Sequence, residues 1–388
     1  MIKKWPLITE GDKAKVLDVL DNGNLWRGDG KYLFELENKF SRLQNANYAL
    51  ATTNGTHAIE IALAALGIGY GDEVLIPAYT FIATASAVIM RNALPVPVEV
   101  DKDTYCIDPE KIEEMITERT KAIIPVHIAG HACDMNKIRN IAQKYNLHII
   151  EDAAHSQGST YKDLGLGSIG DFGTFSFQAI KTMTAGEGGM LITNNEELKN
   201  KAYSFFNCGR LPDGDPYDHV MICSNYRMSE LQAALLVNQC DRILEQINER
   251  EEKVNLLNEM LAHIDYIKPQ GRKAYATRQG YSMYMFRFDE KLAGISKEEF
   301  LHKMNKQGYG IRSTYPVFYK TTMFKKLYNE HKQFDMLENK VAYEEYRYAN
   351  AEDISNNVLW LPHFFLNSTK KEFEDFKDSI YRIGRCLC

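Results

Sequence analysis

Long apolar runs are missing from this chain, and so is any excess of basic charge. No stretch approaches the length a helix needs to cross a bilayer. Lys and Arg number 46 against 52 Asp and Glu, a formal charge of −6. Such a balance offers no field to draw in nucleic acid or an anionic membrane. The lysines between Lys320 and Lys332 are interrupted by aromatics, Glu330 and His331, and read as a solvated helix face. Cysteine is scarce: seven residues, an odd number, scattered from Cys106 to Cys388. That pattern suits reduced thiols rather than a disulfide framework. Cys386-x-Cys388 has no second pair with which to build a metal site, so no metal is expected and the tail reads as frayed. The opening MIKKWPLITEGDK lacks the apolar stretch of a secretory signal, and a soluble cytoplasmic protein is expected. HExxH, Walker A and GxSxG sequences are also absent.

What is present is an ordinary globular composition over 388 residues, 45% hydrophobic, 25% charged and 11% aromatic. From about residue 47 to 195, β-prone runs alternate with helical patterns. The strand candidates are NYALAT, EVLIP, PVPVEV, AIIPVH, LHIIED, FGTFSF and GMLIT. Helical candidates between them include THAIEIALAAL, PEKIEEMI and DMNKIRNIAQKY. This alternation predicts βαβ units on a largely parallel sheet. Runs such as AIIPV lack polar alternation, as expected of strands covered on both faces. A helix is predicted over EELKNKAYSFF, and a long one from Ser229 to about His263, with apolar residues at helical spacing. Beyond it, 269–280 reads as a surface loop, YSMYMFRFD, YGIRSTYPV and NVLWLP as strands, and KKEFEDFKDSI as a closing helix. The expectation is a large α/β domain over 1–250 and a smaller α+β domain over 251–388.

Chemistry concentrates at four places. GLGSIG (165–170) matches GxGxxG, but it precedes a strand instead of opening a helix, so a turn between strands reads better than a dinucleotide site. In ATTNGTHAIEIALAAL a β-prone run ends at Gly55-Thr56, where a helix begins. Gly55 permits close backbone approach and the free helix N–H groups favour an anion; an ordinary N-cap has the same appearance. LHIIEDAAHSQG sets Asp152 at a strand's C-terminal end with His155 three residues on, able to touch one ligand or to cap a helix. Lys181 follows the interior strand FSF and precedes GEGG. Desolvation there would make a nucleophilic amine, whereas a place just past the strand end would leave a surface lysine. Together, an anion-binding helix start, an aspartate and a lysine in that order meet the three needs of pyridoxal phosphate.

PAYTFIAT, EDAAHSQGS, GDFGTFSFQAIKTMTAGEGG and NYRMSELQAAL carry a resemblance over nearly the whole length. The chain resembles the DegT/StrS sugar aminotransferases, fold-type-I pyridoxal-phosphate enzymes. The resemblance implies an aspartate aminotransferase-like fold and these roles: Lys181 bonds the cofactor and shuttles the proton, Asp152 pairs with the pyridinium nitrogen, and His155 lies near the ring hydroxyl. It further implies Phe81 stacked on the ring, and Gly55, Thr56 and Ser176 on the phosphate. Asn225 would reach the cofactor of the other subunit in a homodimer with shared sites. Trp26, Arg27, Tyr315 and His363 are the expected substrate contacts. Gln178, where many nucleotide-sugar members have His, resembles the branch of scyllo-inosose aminotransferases and 3-amino-5-hydroxybenzoate synthase. The expected reaction moves an amino group from L-glutamate or L-glutamine to a nucleotide-linked keto sugar or a keto-cyclitol. A dehydratase or aromatising synthase, a non-catalytic regulatory protein of the same fold and, most remotely, a nicotinamide oxidoreductase are the alternatives.

Overall fold

The computed structural model describes residues 4–334 and 340–384, so the reading of the Cys386–Cys388 tail lies outside the described residues. All seven strands expected in the first half form: β1 (Tyr48–Thr52), β2 (Glu73–Pro77), β3 (Leu94–Val98), β4 (Thr120–Ile123), β5 (His148–Asp152) and, after a small hairpin of β6 (Thr160–Tyr161) and β7 (Leu164–Gly165), β8 (Phe172–Ser176) and β9 (Gly189–Thr193). They make one seven-stranded sheet in the order β1-β9-β8-β5-β4-β2-β3. From β8 to β3 the neighbours are parallel, whereas β9 runs antiparallel to both β8 and β1. Every residue of β2, β3 and β9 is buried, which is why these strands read as unbroken apolar runs.

The helices that cover this sheet are α1 (Glu10–Asn22), α2 (Tyr32–Leu43), α3 (Gly55–Ala65), α4 (Ile82–Met90), α5 (Met135–Tyr145) and α6 (Glu196–Phe206). In α5, Met135, Ile138, Ile141 and Ala142 form the buried stripe that its spacing predicts, and Asp134 caps it by accepting from the Lys137 N–H. PEKIEEMI departs from expectation. Instead of a helix it forms two 3-10 turns, Pro109–Lys111 and Glu113–Met115. Its eight residues bury little beyond Ile112, too little to stabilise a costly helical nucleus.

The long helix α7 (Glu230–Leu261) is continuous over 32 residues. The expected domain boundary at 250/251 falls inside it. Its first half packs on α1 and α2, and beyond it lies a four-stranded antiparallel sheet in the order β10-β11-β13-β12. These strands are β10 (Ile267–Pro269), β11 (Met283–Phe288), β12 (Arg312–Ser313) and β13 (Val358–Pro362). Helices α8 (Glu290–Ala293), α9 (Lys297–Lys306), α10 (Thr322–Glu330), α11 (Ala349–Asn357) and α12 (Lys370–Gly384) complete this part. The predicted loop 269–280 opens on Pro269, the last residue of β10; from 270 it lacks regular structure but is not a free surface loop. The Thr160 N–H donates to Arg278 O (2.9 Å), the Lys162 N–H to Tyr275 O (2.8 Å), and Gln279 and Gly280 are buried. These bonds pin the segment to the β6–β7 hairpin.

Candidate active site

The C-terminal ends of β5 and β8 and the starts of α3 and α4 meet at a cavity of about 440 Å³. Gly55, Thr56, Phe81, Asp152, His155, Ser176, Lys181 and Tyr315 all line it, brought together from five separated stretches of chain. Asn54, Thr80, Thr84, Gln178, Glu187 and Trp360 join them.

Asp152 ends β5 with its carboxylate held twice: Thr84 Oγ1 donates to Oδ2 (2.8 Å) and the Ala154 N–H to Oδ1 (3.2 Å). Burial raises its pKa above the usual carboxylate range, a rise that these donors and the Lys181 charge oppose. Its neighbour Glu151 is spent on structure. The buried carboxylate accepts from the N–H groups of Gly167 (2.8 Å), Ile169 and Gly170 (both 2.7 Å), and His127 Nε2 lies 2.9 Å away. The amides of GLGSIG are therefore occupied by an internal carboxylate, which leaves no dinucleotide cradle.

His155 accepts from the Ala129 N–H at Nδ1 (3.3 Å). Burial, then the Lys181 charge, depress its pKa well below the ordinary value, so the ring is neutral and its proton sits on Nε2. Ala129 adopts a left-handed φ of 56° to present that amide.

Lys181 sits on a loop fixed from several sides. Its N–H donates to Gln178 O (2.9 Å), Gln157 bridges Ser176 O (2.7 Å) and Thr182 Oγ1 (3.0 Å), and Gln239 on α7 bonds both the N–H and the carbonyl of Thr184 (2.9 Å each). Desolvation lowers the Lys181 amine to about 8, partly offset by the negative charge of Asp152. A lysine there is largely cationic at neutral pH and yields a free amine within one unit of pH above it.

At the start of α3 the Asn54 side chain accepts from the His57 N–H (2.8 Å), leaving the Gly55 and Thr56 amides without intrahelical partners. A Cβ on Gly55 would stand 3.0 Å from Ser176 Cβ and 3.2 Å from Phe175 O, so glycine is what lets α3 and β8 close together here. Opposite, Phe81 is half exposed to the cavity, and Tyr315 meets it edge-on at 5.4 Å.

Other expected residues lie elsewhere. Trp26 and Arg27 line a second cavity of about 380 Å³ with Phe34, Arg210, Tyr217 and Arg227. The Arg27 guanidinium is engaged by both oxygens of Glu37 (2.5 and 2.9 Å), which also accepts from the Ala51 N–H, so its fork is committed to holding α2 on β1. His363 is buried behind the Lys181 loop rather than in the cavity wall. Asn225 is exposed and does not line the cavity within its own chain. Sequence reasoning missed Thr84 and Glu187. The Thr80/Thr84 spacing at the head of α4 and the acid within GEGG were the available signals.

These residues fit pyridoxal phosphate: a desolvated amine faces a buried carboxylate, free helix amides stand where only glycine fits, and an aromatic face lies over the gap. Among the described residues, no cluster of three or more His, Cys, Asp or Glu suits a metal ion, and no helix is long and apolar enough to cross a membrane. Fold and site together define a fold-type-I enzyme whose cofactor is pyridoxal 5′-phosphate. The particular family follows from comparison with known proteins. The DegT/DnrJ/EryC1/StrS aminotransferase family profile matches residues 6–374, and the chain belongs to that family. It is 34% identical to 3-amino-5-hydroxybenzoate synthase of Amycolatopsis mediterranei, across 95% of this chain and 93% of that one. A putative L-glutamine:3-amino-2,3-dideoxy-scyllo-inosose aminotransferase of Streptoalloteichus tenebrarius is 31% identical over 98% and 94% of the two chains. The crystal structure of 3-amino-5-hydroxybenzoic acid synthase superposes with a TM-score of 0.91 at 33% identity, covering 99% of this chain and 98% of that one.

Proposed function

We propose that this chain is an aminotransferase that moves the amino group of L-glutamine or L-glutamate to a keto-cyclitol or a keto sugar by ping-pong exchange. The observation that carries the proposal is that Lys181 and Asp152 line one cavity, where burial lowers the amine's pKa. When bound, pyridoxal phosphate makes the proton on the amine-bearing carbon acidic. Lys181 Nζ would hold the cofactor through its aldehyde and, as a free amine, would take that proton from the donor carbon and return one to the acceptor carbon. Asp152 would hold a protonated ring nitrogen, and neutral His155 would donate from Nε2 to the ring hydroxyl. The Gly55 and Thr56 amides and the Ser176 hydroxyl would bind the phosphate, and Phe81 would cover the ring.

Among the described residues, Lys181 is the only Lys or Arg in the wall of the cavity, so a dianionic phosphate gains little compensating charge from them. Leu211, Tyr217, Val220, Met221 and the fully exposed Ile222 form an uncovered apolar segment beside Asn225. Both features support a homodimer in which Asn225 of the partner subunit completes the phosphate site. Trp26 and Arg27 then belong to that interface, and Tyr315 to the substrate wall. The described cysteines are free thiols, in keeping with a reducing cytoplasm.

The test is a visible spectrum of the purified protein before and after L-glutamine or L-glutamate. Absorbance that bleaches with donor is expected. A protein that gains no absorbance with added cofactor, or a Lys181→Ala variant that still turns over, overturns the proposal. The similarity to 3-amino-5-hydroxybenzoate synthase favours a second reading, an aromatising synthase using the same residues. Water loss without amine gain in the product selects it.

A further inference from the structure

Behind the Lys181 loop, away from the cavity, lies a group of buried polar atoms without protein partners. Arg250, on α7, is 3% exposed; its Nε donates to Gly280 O (2.8 Å), but Nη2 bonds nothing, and among the described residues no carboxylate forms an ion pair with it. Gln279 Oε1, Ser282 Oγ and His363 Nε2 are likewise unpartnered, on residues 1%, 4% and 1% exposed. Continuing the antiparallel register of Met283 with Pro362 sets Ser282 across from His363. The Arg250 charge acts on the His363 ring, which burial and that charge keep neutral. Three separated pieces of chain thus converge on one buried spot.

The ring of His363 also faces the reactive lysine's own backbone. The carbonyls of Ile180 and Lys181 reach it, and Trp5 packs edge-on against it at 4.3 Å while its Nε1 donates to Ala179 O (3.0 Å). Ala179 O is therefore held from behind by Trp5, with the next two carbonyls close to the His363 ring.

We propose that His363 is a positioning residue for Lys181, gripping the peptide carbonyls of the lysine's loop on one side and, on the other, ordered water shared with Arg250, Gln279 and Ser282. Orphaned buried polar groups are costly, and internal water is their usual partner. The chemistry selects water over an anion. Arg250 Nη2 and the Ser282 hydroxyl donate, Gln279 Oε1 accepts, and Nε2 of a neutral ring whose proton faces the carbonyls also accepts. Water, with two donors and two acceptors, complements such a set, whereas a halide would leave both acceptors unmatched. His363 would thereby couple the small domain to the desolvation of the Lys181 amine. The titratable groups around that amine are Asp152, neutral His155, neutral His363, the Tyr315 hydroxyl and Glu187.

The inference rests on Lys181 being the reacting amine, and the experiment tests the two separately. Cofactor-free enzyme is treated with pyridoxal phosphate and borohydride across a pH series, and the labelled lysine is located by peptide mass. Wild type is expected to label at Lys181 with a midpoint near 8. His363→Phe keeps the packing but loses the polar grip. The loosened loop lets water reach the amine, and the midpoint should rise by about one unit. His363→Asn should restore it, and Arg250→Met should shift it in the same direction as His363→Phe. Should His363→Phe not fold, Trp5→Phe, which deletes the bond to Ala179 O and trims the packing on His363, is expected to raise the midpoint. Label on Lys181 with an unmoved midpoint in these variants overturns the positioning role alone, even where their melting temperatures fall. Absence of label on Lys181 in the wild type overturns the lysine's assignment and this inference with it.

Discussion

Lys181 carries a stability cost that its chemistry requires. Its folded-state pKa of about 8 lies below the ordinary 10.5, so between those values the unfolded chain binds more protons than the folded one. Stability of the cofactor-free enzyme should therefore rise as pH goes from about 8 to 10.5. Lys181→Met removes the buried cation. In cofactor-free form it should be more stable than wild type at pH 7, on the order of 1 kcal/mol once solvent screening is allowed for. That advantage should vanish by the alkaline end of the window in urea melts at several pH values. Asp152 is the complementary case. Asp152→Asn keeps the shape and the Thr84 contact but cannot neutralise a protonated ring nitrogen, so kcat should fall by about 10² or more with little change in melting temperature. An equal loss of folding would mean that the carboxylate serves the scaffold instead.

At the scale of elements, β5 ends in two acids with divergent tasks. Glu151 ties the loop before β8 to the strand, and Asp152 faces the cavity. Glu151→Ala would orphan three backbone amides at once, and a destabilisation of about 2–4 kcal/mol is expected in denaturant melts. At the start of α3, Gly55→Ala should weaken cofactor affinity more than it lowers stability, since its methyl would press on Ser176 beside the phosphate amides. Equilibrium dialysis of the cofactor against both proteins checks this. The strands were legible because their burial on both faces demands unbroken apolar runs, as in EVLIP and GMLIT. PEKIEEMI was not, because periodicity says which face a helix would bury but not whether eight residues bury enough to form one. Asp152 could be read from its place at a strand end, and Lys181 only in combination with it and with the start of α3. The hold of Thr84 on Asp152, across 68 positions, depends on how α4 crosses β5, which no local pattern records. Arg27 misled for a related reason: its partner Glu37 sits one element away, and composition does not say which charges are already matched.

Across the whole molecule, the uncovered 211–222 segment and the cavity's shortage of positive charge give the dimer a direct test. Lys181→Ala and Asn225→Ala homodimers should each be inactive or nearly so. Mixing them under exchange should restore about a quarter of wild-type activity, because one heterodimer site in two is whole. No recovery, with exchange verified by mass, would place each site within a single chain. Helix α7 bears on the question of movement. Its 32 residues contain neither Gly nor Pro, and it joins the seven-stranded sheet, whose strand ends line the cavity, to the four-stranded sheet, whose Trp360 also lines it. An axle of this kind has no hinge along its length. Under the proposed function, the room offered to an acceptor is then set first by the side chains that stand in the cavity wall. If the acceptor is the ketone proposed above, Gln178 and Tyr315 are the first wall positions whose exchange should change the shape accepted.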